Sequence, residues 1–488
     1  MQVAAVTGPV DAAVAGLALD SRRVRAGDVF FALPGVHADG ARYGEAAIAA
    51  GAIAVVGARG TRFAGATSVE VDEPRLALAQ AACTFHGNPS AHPFMDVIAV
   101  TGTNGKTTTT YMIEAIGRAA GLRCGVIGTT GVRIDGEARP SAFTTPEAPE
   151  LQALLAEMRD RGVGLVAMEV SSHALVQRRT WGLQPHVAIF TNLTQDHLDY
   201  HGTMDAYLDA KLMLFDGRNG GGDEPRLAFV NGDDPAGDAV AAAARRHDAS
   251  VHRFGMSERC DVRVEVLELL PQGMRLRILG KLEGTVETYE FTLPMLGRFN
   301  ALNAAAAFVA AMNGAPAVGI EHALRGLETF AGVPGRLERV DAGQPFALVV
   351  DYAHTPDALE RALAACREHT AGRVLCVFGC GGDRDRGKRP QMGALAARLA
   401  DRAWVTNDNP RGEDPAAIAA EIVAGAPGAG LAVVLDRREA IAAAVREARA
   451  GDVVLVAGKG HETTQTIAGV VTPFDDRVES RAALEVLR

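Results

Sequence analysis

The sequence lacks any apolar run long enough to cross a bilayer. Stretches such as Val163–Val170 are far shorter than the roughly 20 residues that a spanning helix needs. The amino terminus also lacks the basic start and the cleavage site of a signal peptide. Together these absences predict a cytoplasmic protein that has no membrane partner.

Paired cysteines and an excess of positive charge are missing as well. Six cysteines are scattered along the 488 residues, and only Cys376 and Cys380 lie close together. No histidine or second cysteine pair is placed to complete a zinc site, so we predict reduced, mostly structural thiols. The formal net charge of −10 argues against a nucleic-acid partner and favours a small acidic or phosphorylated ligand.

The length predicts about three domains, because one hydrophobic core rarely supports 488 residues. Residues 1–90 hold short apolar segments and end in a proline-rich linker, which predicts a small α/β domain. Residues 91–332 alternate apolar strand-like runs with helical patterns, as in a parallel sheet covered on both faces. Residues 333–488 repeat this alternation and predict a doubly wound, Rossmann-like domain. The predicted fold class is α/β in all three domains.

The strongest motif is Ile98–Thr109, in which a strand leads into a glycine-rich turn and then a helix. Gly102 and Gly105 let backbone N–H groups approach phosphates, Lys106 supplies positive charge, and the Thr107 hydroxyl can bind Mg²⁺. The loop reads Gly-x-x-Gly-Lys-Thr, which departs from the common Gly-x-x-x-x-Gly-Lys spacing. It predicts a central domain of the P-loop ATPase type, with a structural turn as the alternative.

Two further residues have both a functional and an ordinary interpretation. Glu169 ends an apolar strand, where a carboxylate beside the phosphates would suit magnesium. Such a glutamate alone is more often a helix cap or surface residue, but together with the glycine-rich loop the metal role is favoured. Lys211 falls on the apolar face of a helix beside Tyr207 and Leu208. A lysine there must extend to the surface, pair with a carboxylate or lose its charge, and the helix alone favours the first.

Taken together, these segments resemble the Mur ligase family, and the likeness extends over essentially the whole chain. The resemblance implies an ATP-dependent ligase that forms an amide bond through an acyl phosphate and releases ADP and phosphate. It implies that Lys211 is carboxylated by CO₂, and that this carbamate, with Glu169 and His197, binds a second Mg²⁺. The surface interpretation of Lys211 is thereby replaced. The residues implied in catalysis are Lys106, Glu169, His197 and Lys211, and those implied in metal binding are Thr107, Glu169, His197 and Lys211.

The family pattern also assigns residues to ATP in two parts of the chain. Ordinary alternatives exist for the later ones: an asparagine helix cap, a surface arginine or a turn aspartate before proline. Their joint occurrence in the expected order favours the family assignment. The implied ATP-binding residues are Gly102, Thr103, Asn104, Gly105, Lys106, Thr107, Thr108, Asn300, Asn303, Arg336, Asp351 and His354.

Within the family, the chain is most similar to ligases that add meso-2,6-diaminopimelate to UDP-N-acetylmuramoyl-L-alanyl-D-glutamate in peptidoglycan synthesis. The form Asp408-Asn-Pro-Arg411 is associated with diaminopimelate rather than lysine. Phe143 stands where an asparagine often precedes two threonines, so no side-chain hydrogen bond is assigned to it. The residues implied at the UDP-precursor are Leu19, Ser21, Val36, His37, Ala38, Thr144, Thr145, Ser171, Gln177 and Arg179. Those implied at the amino acid are Arg389, Asp408, Asn409, Pro410, Arg411, Gly458 and Glu462.

Two rival functions follow from the same motifs. A folylpolyglutamate synthetase-like ligase shares the central architecture but would lack the uridine-type segments and Asp-Asn-Pro-Arg. A nucleotide-binding switch without ligase activity would hydrolyse ATP independently of any amine, and the set of Glu169, His197 and Lys211 argues against it. For the ligase we expect a monomer.

Overall fold

The computed structural model describes residues 3–35, 39–220, 222, 225–270, 272–282 and 285–487. Val36, His37 and Ala38, predicted at the UDP-precursor, lie outside the described residues. The chain forms two compact units. The first comprises Met1–Lys106, Gly117–Arg253 and Val309–Ile320, and the second comprises Thr107–Ile116, Phe254–Phe308 and Glu321–Arg488.

The first unit begins with a five-stranded sheet in the order β1-β5-β4-β3-β2, in which only β1 is antiparallel to its neighbour. Its strands are β1 (Val3–Thr7), β2 (Gly16–Ala18), β3 (Asp28–Phe31), β4 (Ala54–Ala58) and β5 (Thr67–Val71). Its helices are α1 (Gly44–Ala49) and α2 (Pro74–Phe85), with 3₁₀ turns at Ser21–Arg23, Gly40–Tyr43 and Pro89–Ala91.

A larger sheet follows in the same unit. The strands of this 11-stranded sheet that begin in the first unit are β6 (Asp96–Thr101), β7 (Cys124–Gly128), β8 (Gly131–Ile134), β9 (Glu137–Arg139), β10 (Leu165–Glu169), β11 (Val187–Phe190), β12 (Leu227–Asn231) and β13 (Ser250–Gly255). The helices along this stretch are α3 (Lys106–Ala119), α4 (Ala148–Asp160), α5 (Ser172–Val176), α6 (Leu198–His201), α7 (Met204–Leu212) and α8 (Gly237–Arg246). Strands β7, β10, β6, β11 and β12 are parallel neighbours in that order. The carboxyl ends of β6, β10 and β11 therefore meet at one edge of the sheet.

The second unit contains an antiparallel meander and a doubly wound sheet. The meander is β14 (Val262–Leu270), β15 (Gly273–Leu282) and β16 (Thr285–Leu293), and the chain continues through α9 (Phe299–Gly314) and α10 (Ile320–Glu328). The remaining strands are β17 (Glu338–Arg339), β18 (Ala347–Asp351), β19 (Val374–Phe378), β20 (Arg402–Val405), β21 (Ala432–Val433), β22 (Val453–Ala457), β23 (Thr464–Ile467) and β24 (Val470–Pro473). The remaining helices are α11 (Pro356–Glu368), α12 (Lys388–Leu399), α13 (Pro415–Val423), α14 (Arg437–Glu447) and α15 (Asp476–Val486).

The doubly wound sheet of the second unit has the order β17-β18-β22-β19-β20-β21 and is parallel apart from β17. Alternate side chains of its strands enter two separate apolar cores. Helices α11, α12 and α13 close one core, and α14 and α15 close the other. The prediction of a doubly wound domain is thus confirmed.

The α/β class and the main parallel strands are confirmed, whereas several antiparallel elements were not predicted. The predicted run at Val187–Phe190 is a strand, and the run at Val163–Val170 contains β10. The meander β14 to β16 and the hairpin β23–β24 have no counterpart in the prediction. All six cysteines are free thiols. Within the part of the chain that the structure describes, no helix is both long and apolar enough to cross a membrane.

Candidate active site

The glycine-rich loop between β6 and α3 is braced by the segment that follows β11. Gly102 has φ of 145°, and a side chain there would place Cβ 1.9 Å from Thr191 Oγ1. The Thr103 N–H donates to Asn192 O (2.8 Å), and the Asn104 N–H donates to Asn192 Oδ1 (2.9 Å). The backbone N–H groups of Thr103 and Asn104, two residues predicted at ATP, are therefore already hydrogen-bonded within the protein.

Lys106 is folded back over the same loop. Its Nζ donates to the carbonyl oxygens of Gly102 and Thr103, each at 2.9 Å. Thr107 and Thr108, the next residues of α3, are both buried. The ammonium group is therefore held beside the turn by these two carbonyl oxygens.

Glu169 is a buried carboxylate at the end of β10, only 1% exposed. Its Oε1 accepts the Thr129 N–H (2.9 Å) and its Oε2 accepts the Thr129 hydroxyl (3.1 Å). At Gly128 a side chain would put Cβ 2.3 Å from Glu169 Oε1, so glycine makes room for the carboxylate. The amino terminus of α5 is capped by Ser171 instead. The interpretation of Glu169 as a helix cap or surface residue is therefore wrong.

Lys211 is buried in α7, with 1% of its surface exposed. Its Nζ lies 4.3 Å from the centroid of the Tyr207 ring, and it makes no hydrogen bond or ion pair to any residue that the structure describes. Burial, and secondarily the positive charge of Lys106, lowers the pKa of Lys211 well below its usual range. The structure thus contradicts the surface interpretation, and burial favours the neutral form of the amine.

Tyr207 connects this amine to the glycine-rich loop. Its hydroxyl lies 3.2 Å from Thr103 Oγ1, and burial raises the pKa of Tyr207 to about 12. The ring that faces Lys211 therefore belongs to a neutral phenol that is hydrogen-bonded to the loop.

His197 lies at the start of α6 in the left-handed region, with φ of 52°. Its ring centroid is 4.8 Å from that of His173 and 6.0 Å from that of Tyr207, and its Nδ1 is 3.5 Å from Asp196 Oδ1. Among the described residues, no group of three or more His, Cys, Asp or Glu side chains is arranged to hold a metal ion.

Four residues predicted at the UDP-precursor form one hydrogen-bonded cluster in the first unit, namely Thr145, Ser171, Gln177 and Arg179, while the Thr144 hydroxyl lies 3.1 Å from the Thr129 hydroxyl. The Thr145 hydroxyl donates to Glu169 O (2.9 Å) and accepts the Ser171 N–H (3.1 Å). Arg179 donates to Thr145 O (3.1 Å) and to Gln177 Oε1 (2.6 Å). This cluster is thus attached directly to the strand that carries Glu169.

Two residues that the prediction did not assign belong to this cluster. Glu147 pairs with Arg179 at 3.1 Å, and the Phe143 ring lies 4.3 Å below the guanidinium carbon. Both residues belong to the segment Phe143-Thr-Thr-Pro-Glu147, which also contains the predicted Thr144 and Thr145. Their closeness in the sequence was the available signal. Leu19 and Ser21 directly follow β2, in the other sheet of the same unit.

In the second unit, three residues predicted at ATP lie around Tyr352. The guanidinium carbon of Arg336 is 5.4 Å from the centroid of the Tyr352 ring, and the His354 ring centroid is 4.6 Å from it. Asp351 accepts the N–H groups of Leu337 (2.7 Å) and Ala353 (2.8 Å), while burial raises the pKa of its carboxyl.

Asn300 and Asn303 are buried in the first turn of α9. The Asn300 amide donates to Leu296 O at 2.7 Å, and the Asn303 amide donates to Asn300 Oδ1 at 2.9 Å. The Asn300 amide therefore caps the turn before α9, and the Asn303 amide fixes the orientation of the Asn300 side chain.

The residues predicted at the amino acid meet where β20 and β22 end. The Asn409 amide donates to Glu462 Oε2 (2.8 Å), and a side chain at Gly458 would place Cβ 2.6 Å from Asp408 Oδ2. Pro410 is followed by Arg411, whose φ is 53° and whose Nη1 donates to Gly382 O (2.8 Å). No other side-chain hydrogen bond links the Arg411 guanidinium to the described residues.

Arg389 lies in a different environment. It is fully buried and donates to Glu413 Oε1 (2.8 Å), Glu413 Oε2 (2.9 Å) and Glu421 Oε2 (2.9 Å). This arginine therefore joins α12 to Glu413, just before α13, and to Glu421 in the last turn of α13. Its predicted contact with the amino acid stays a prediction.

Sequence reasoning missed two buried cations near this site. Lys459 follows Gly458 after β22 and is hydrogen-bonded to Asn409 and Glu462. Arg437 forms a fully buried pair with Asp476, at 2.7 Å to each carboxylate oxygen. The available signal for Lys459 was its neighbour Gly458, which was predicted at the amino acid.

Comparison with known proteins agrees with this geometry. Residues 13–86, 100–311 and 335–460 match, in order, the catalytic, middle and glutamate ligase domains of the Mur ligases. A relative from Geobacter metallireducens is 45% identical over 97% of this chain and 94% of its own length. The chain belongs to the Mur ligase family. The Geobacter protein is named UDP-N-acetylmuramoyl-L-alanyl-D-glutamate–2,6-diaminopimelate ligase, and a protein of the same name from Geobacillus thermodenitrificans is 44% identical over 97% of this chain and 96% of its own length.

Solved structures support the fold. A Mur ligase structure of that same name has a TM-score of 0.74 and 34% identity, and covers 98% of this chain and 97% of its own. A folylpolyglutamate synthase from Mycobacterium tuberculosis has a TM-score of 0.60 at 20% identity, covers 84% of this chain and 95% of its own, and shares the fold alone. The three-domain α/β architecture is confirmed, and the exact domain boundaries stay predictions.

Proposed function

We propose that this ATP-dependent ligase joins meso-2,6-diaminopimelate to the D-glutamate of UDP-N-acetylmuramoyl-L-alanyl-D-glutamate in peptidoglycan synthesis. The observation that carries the proposal is the near-full-length identity of 45% to a ligase with that name. The arrangement of Asp408-Asn-Pro-Arg411 beside Glu462 supports the choice of amino acid. ATP and UDP-linked precursors are cytoplasmic metabolites, so we place the reaction in the cytoplasm, and we expect the ligase to be a monomer.

The first step transfers a phosphoryl group. A free carboxylate is a poor acylating agent, so the γ-carboxylate of D-glutamate attacks the γ-phosphate of ATP, ADP leaves and an acyl phosphate forms. Lys106 is held at the glycine-rich loop by two carbonyl oxygens, and it would stabilise negative charge at the transferring group. Bound Mg²⁺ would supply further charge neutralisation at the same phosphates.

Lys211 suits the carbamate that the family pattern implies. An uncharged amine can attack CO₂, giving R–NH–COO⁻ and releasing one proton, whereas an ammonium group cannot. Lys211 has the burial and lowered pKa for this reaction, and its Nζ is not engaged by an acceptor among the described residues. The product would add the oxygen ligand that Glu169 and His197 lack for Mg²⁺.

The second step forms the amide. The amine of diaminopimelate attacks the acyl carbon, the tetrahedral intermediate collapses, and inorganic phosphate leaves with the former carboxylate oxygen. The free N–H groups of Arg411 are suited to a planar carboxylate, which would distinguish diaminopimelate from lysine at the far end of the amino acid. Thr145, Ser171 and Arg179 would hold the UDP-linked peptide next to Glu169.

Release of ADP, measured while each substrate is omitted in turn, tests the proposal. The ligase requires ADP release to depend on both the UDP-linked dipeptide and diaminopimelate, with lysine a much poorer amine. Release that needs no amine would favour a nucleotide switch. Release that needs a folate and glutamate would favour the folylpolyglutamate synthetase-like alternative.

A further inference from the structure

Lys459 is a fully buried lysine for which the sequence predicted no role. It is 0% exposed, and its Nζ donates to Thr464 O (2.6 Å), Glu462 Oε2 (3.0 Å) and Asn409 Oδ1 (3.3 Å). A buried ammonium is costly unless several acceptors replace its water shell. Here one carboxylate and two carbonyl-type oxygens do so.

The first consequence concerns Glu462. Its Oε2 accepts both the Lys459 ammonium and the Asn409 amide (2.8 Å), so one carboxylate oxygen is fixed from two sides. No hydrogen bond reaches Oε1 from the residues that the structure describes, and the side chain is 33% exposed. Glu462 therefore presents one free anionic oxygen in a fixed orientation.

The second consequence concerns the orientation of Asn409. Its Oδ1 accepts from Lys459 and from the Thr466 N–H (3.0 Å), which leaves its Nδ2 directed at Glu462. The Thr466 carbonyl in turn accepts the backbone N–H of Arg411 at 3.0 Å. The same short strand, β23, thus holds both the amide and the backbone of the arginine.

We propose that Lys459 is a positioning residue for the incoming amino acid. It orients Glu462 through Oε2, so that the free Oε1 receives an ammonium group of the substrate, while Asn409 completes the arrangement. This inference rests on the proposed function, because it supposes that the amino acid binds at Asp408-Asn-Pro-Arg411. A purely structural role, in which Lys459 only closes the turn to Thr464, is the competing explanation.

A double-mutant cycle separates the two roles. Lys459→Met removes the ammonium at similar volume, and Glu462→Gln removes the charge that it orients. We expect Lys459→Met to raise the KM for diaminopimelate by about tenfold, or about 1.4 kcal/mol, and to leave the KM for ATP within about twofold. In the Glu462→Gln background, Lys459→Met should add less than about threefold, because the residue through which it acts is already altered.

Three results decide the matter. An unchanged KM for diaminopimelate in Lys459→Met contradicts the positioning role, and so does a full tenfold effect that persists in Glu462→Gln. A fall in melting temperature without an amino-acid-specific KM change shows a structural role only. If Lys459→Met does not fold, Lys459→Gln takes its place in the cycle and is judged by the same KM values. Arg398→Met, at an exposed ion pair on α12, is the control for nonspecific effects.

The wild-type enzyme distinguishes failure of this inference from failure of the proposed function. Wild-type ADP release that does not require diaminopimelate contradicts the proposed function. Wild-type release that requires it, together with variants whose KM for diaminopimelate is normal, contradicts only the role of Lys459.

Discussion

Two buried lysines, one in each unit, show how differently the same side chain can be used. Lys211 is 1% exposed and Lys459 is 0% exposed. The first has an aromatic ring beside its amine and no acceptor among the described residues, whereas the second has three acceptors. Burial alone therefore does not decide what a lysine does. We propose that the acceptors around each amine decide whether the lysine serves as a reactive amine or as a fixed cation.

The largest expected effect comes from removing the buried amine of Lys211. Lys211→Ala should lower kcat for ligation by more than about 100-fold, because the site loses the precursor of an anionic metal ligand. Lys211→Glu, which restores a carboxylate, should retain more activity than Lys211→Ala. Steady-state ADP release at saturating Mg²⁺ measures both variants. An alanine variant that keeps more than about half of the wild-type kcat would rule out the carbamate role.

The contrast between the lysines can also be observed directly. The chain has only five lysines, so a carbamate signal is readily assigned by mutation. In ¹³C-bicarbonate, we expect the wild-type protein to give one carbamate ¹³C NMR signal, which disappears in Lys211→Ala and persists in Lys459→Met. A signal that survives in Lys211→Ala would place the modification elsewhere, and loss of the signal in Lys459→Met would break the comparison.

A substitution at Arg411 tests the proposed amino-acid site of the second unit and leaves Lys459 unchanged. Arg411→Ala should lower kcat/KM for diaminopimelate by about 100-fold and that for lysine by only a few-fold, because lysine lacks the carboxylate that the guanidinium would bind. The surface control Arg398→Met should leave kcat/KM for both amino acids unchanged. A loss for diaminopimelate of less than about twofold, roughly 0.4 kcal/mol, would exclude Arg411 as the selecting residue.

Tyr207 offers a smaller, more local test in the first unit. Tyr207→Phe keeps the ring beside Lys211 and removes only the hydroxyl that is bonded to Thr103. Loss of one such hydrogen bond is worth about 1 kcal/mol, so we expect the KM for ATP to rise about fivefold. An unchanged KM for ATP would show that the hydroxyl does not support the glycine-rich loop.

Stability should change in opposite directions at the two lysines. Because burial lowers the pKa of Lys211, the folded state binds fewer protons than the unfolded state below the ordinary lysine pKa of 10.5. The native lysine therefore costs stability near pH 7, and this cost fades as the pH rises towards 10.5. Lys211→Met should raise the melting temperature at pH 7, by less near pH 10, whereas Lys459→Met should lower it. Thermal unfolding at both pH values is the measurement, and a lower melting temperature for Lys211→Met at pH 7 would contradict this account.

The strands of the parallel sheets were predictable because a strand covered on both faces is a continuous apolar run. The meander from β14 to β16 was missed, although Met274–Ile278 alternates apolar and charged residues as a half-buried strand does, because we predicted strands only from continuous apolar runs. Periodicity likewise placed Lys211 on an apolar face but favoured a surface position for its amine. Burial depends on what packs over that face, which one helix does not reveal.

The polar partners of the site were the least predictable part. Lys459 lies between two glycines, which is typical of an exposed turn, and its acceptor Asn409 is 50 residues away in the chain. Arg389 meets Glu413 and Glu421 at separations of 24 and 32 residues. Such contacts depend on the order of strands in the sheet, and no local pattern specifies that order. The family resemblance assigned Arg389 but not the carboxylates around it.

Identification of the product tests the central claim most directly. Purified enzyme is incubated with ATP, Mg²⁺, the UDP-linked dipeptide and an equimolar mixture of diaminopimelate and lysine, and the UDP-linked products are analysed by mass spectrometry. The account predicts one main product that carries a single diaminopimelate, formed in equal amount with ADP. A lysine-bearing main product, or ADP without any extended UDP-linked product, would contradict it.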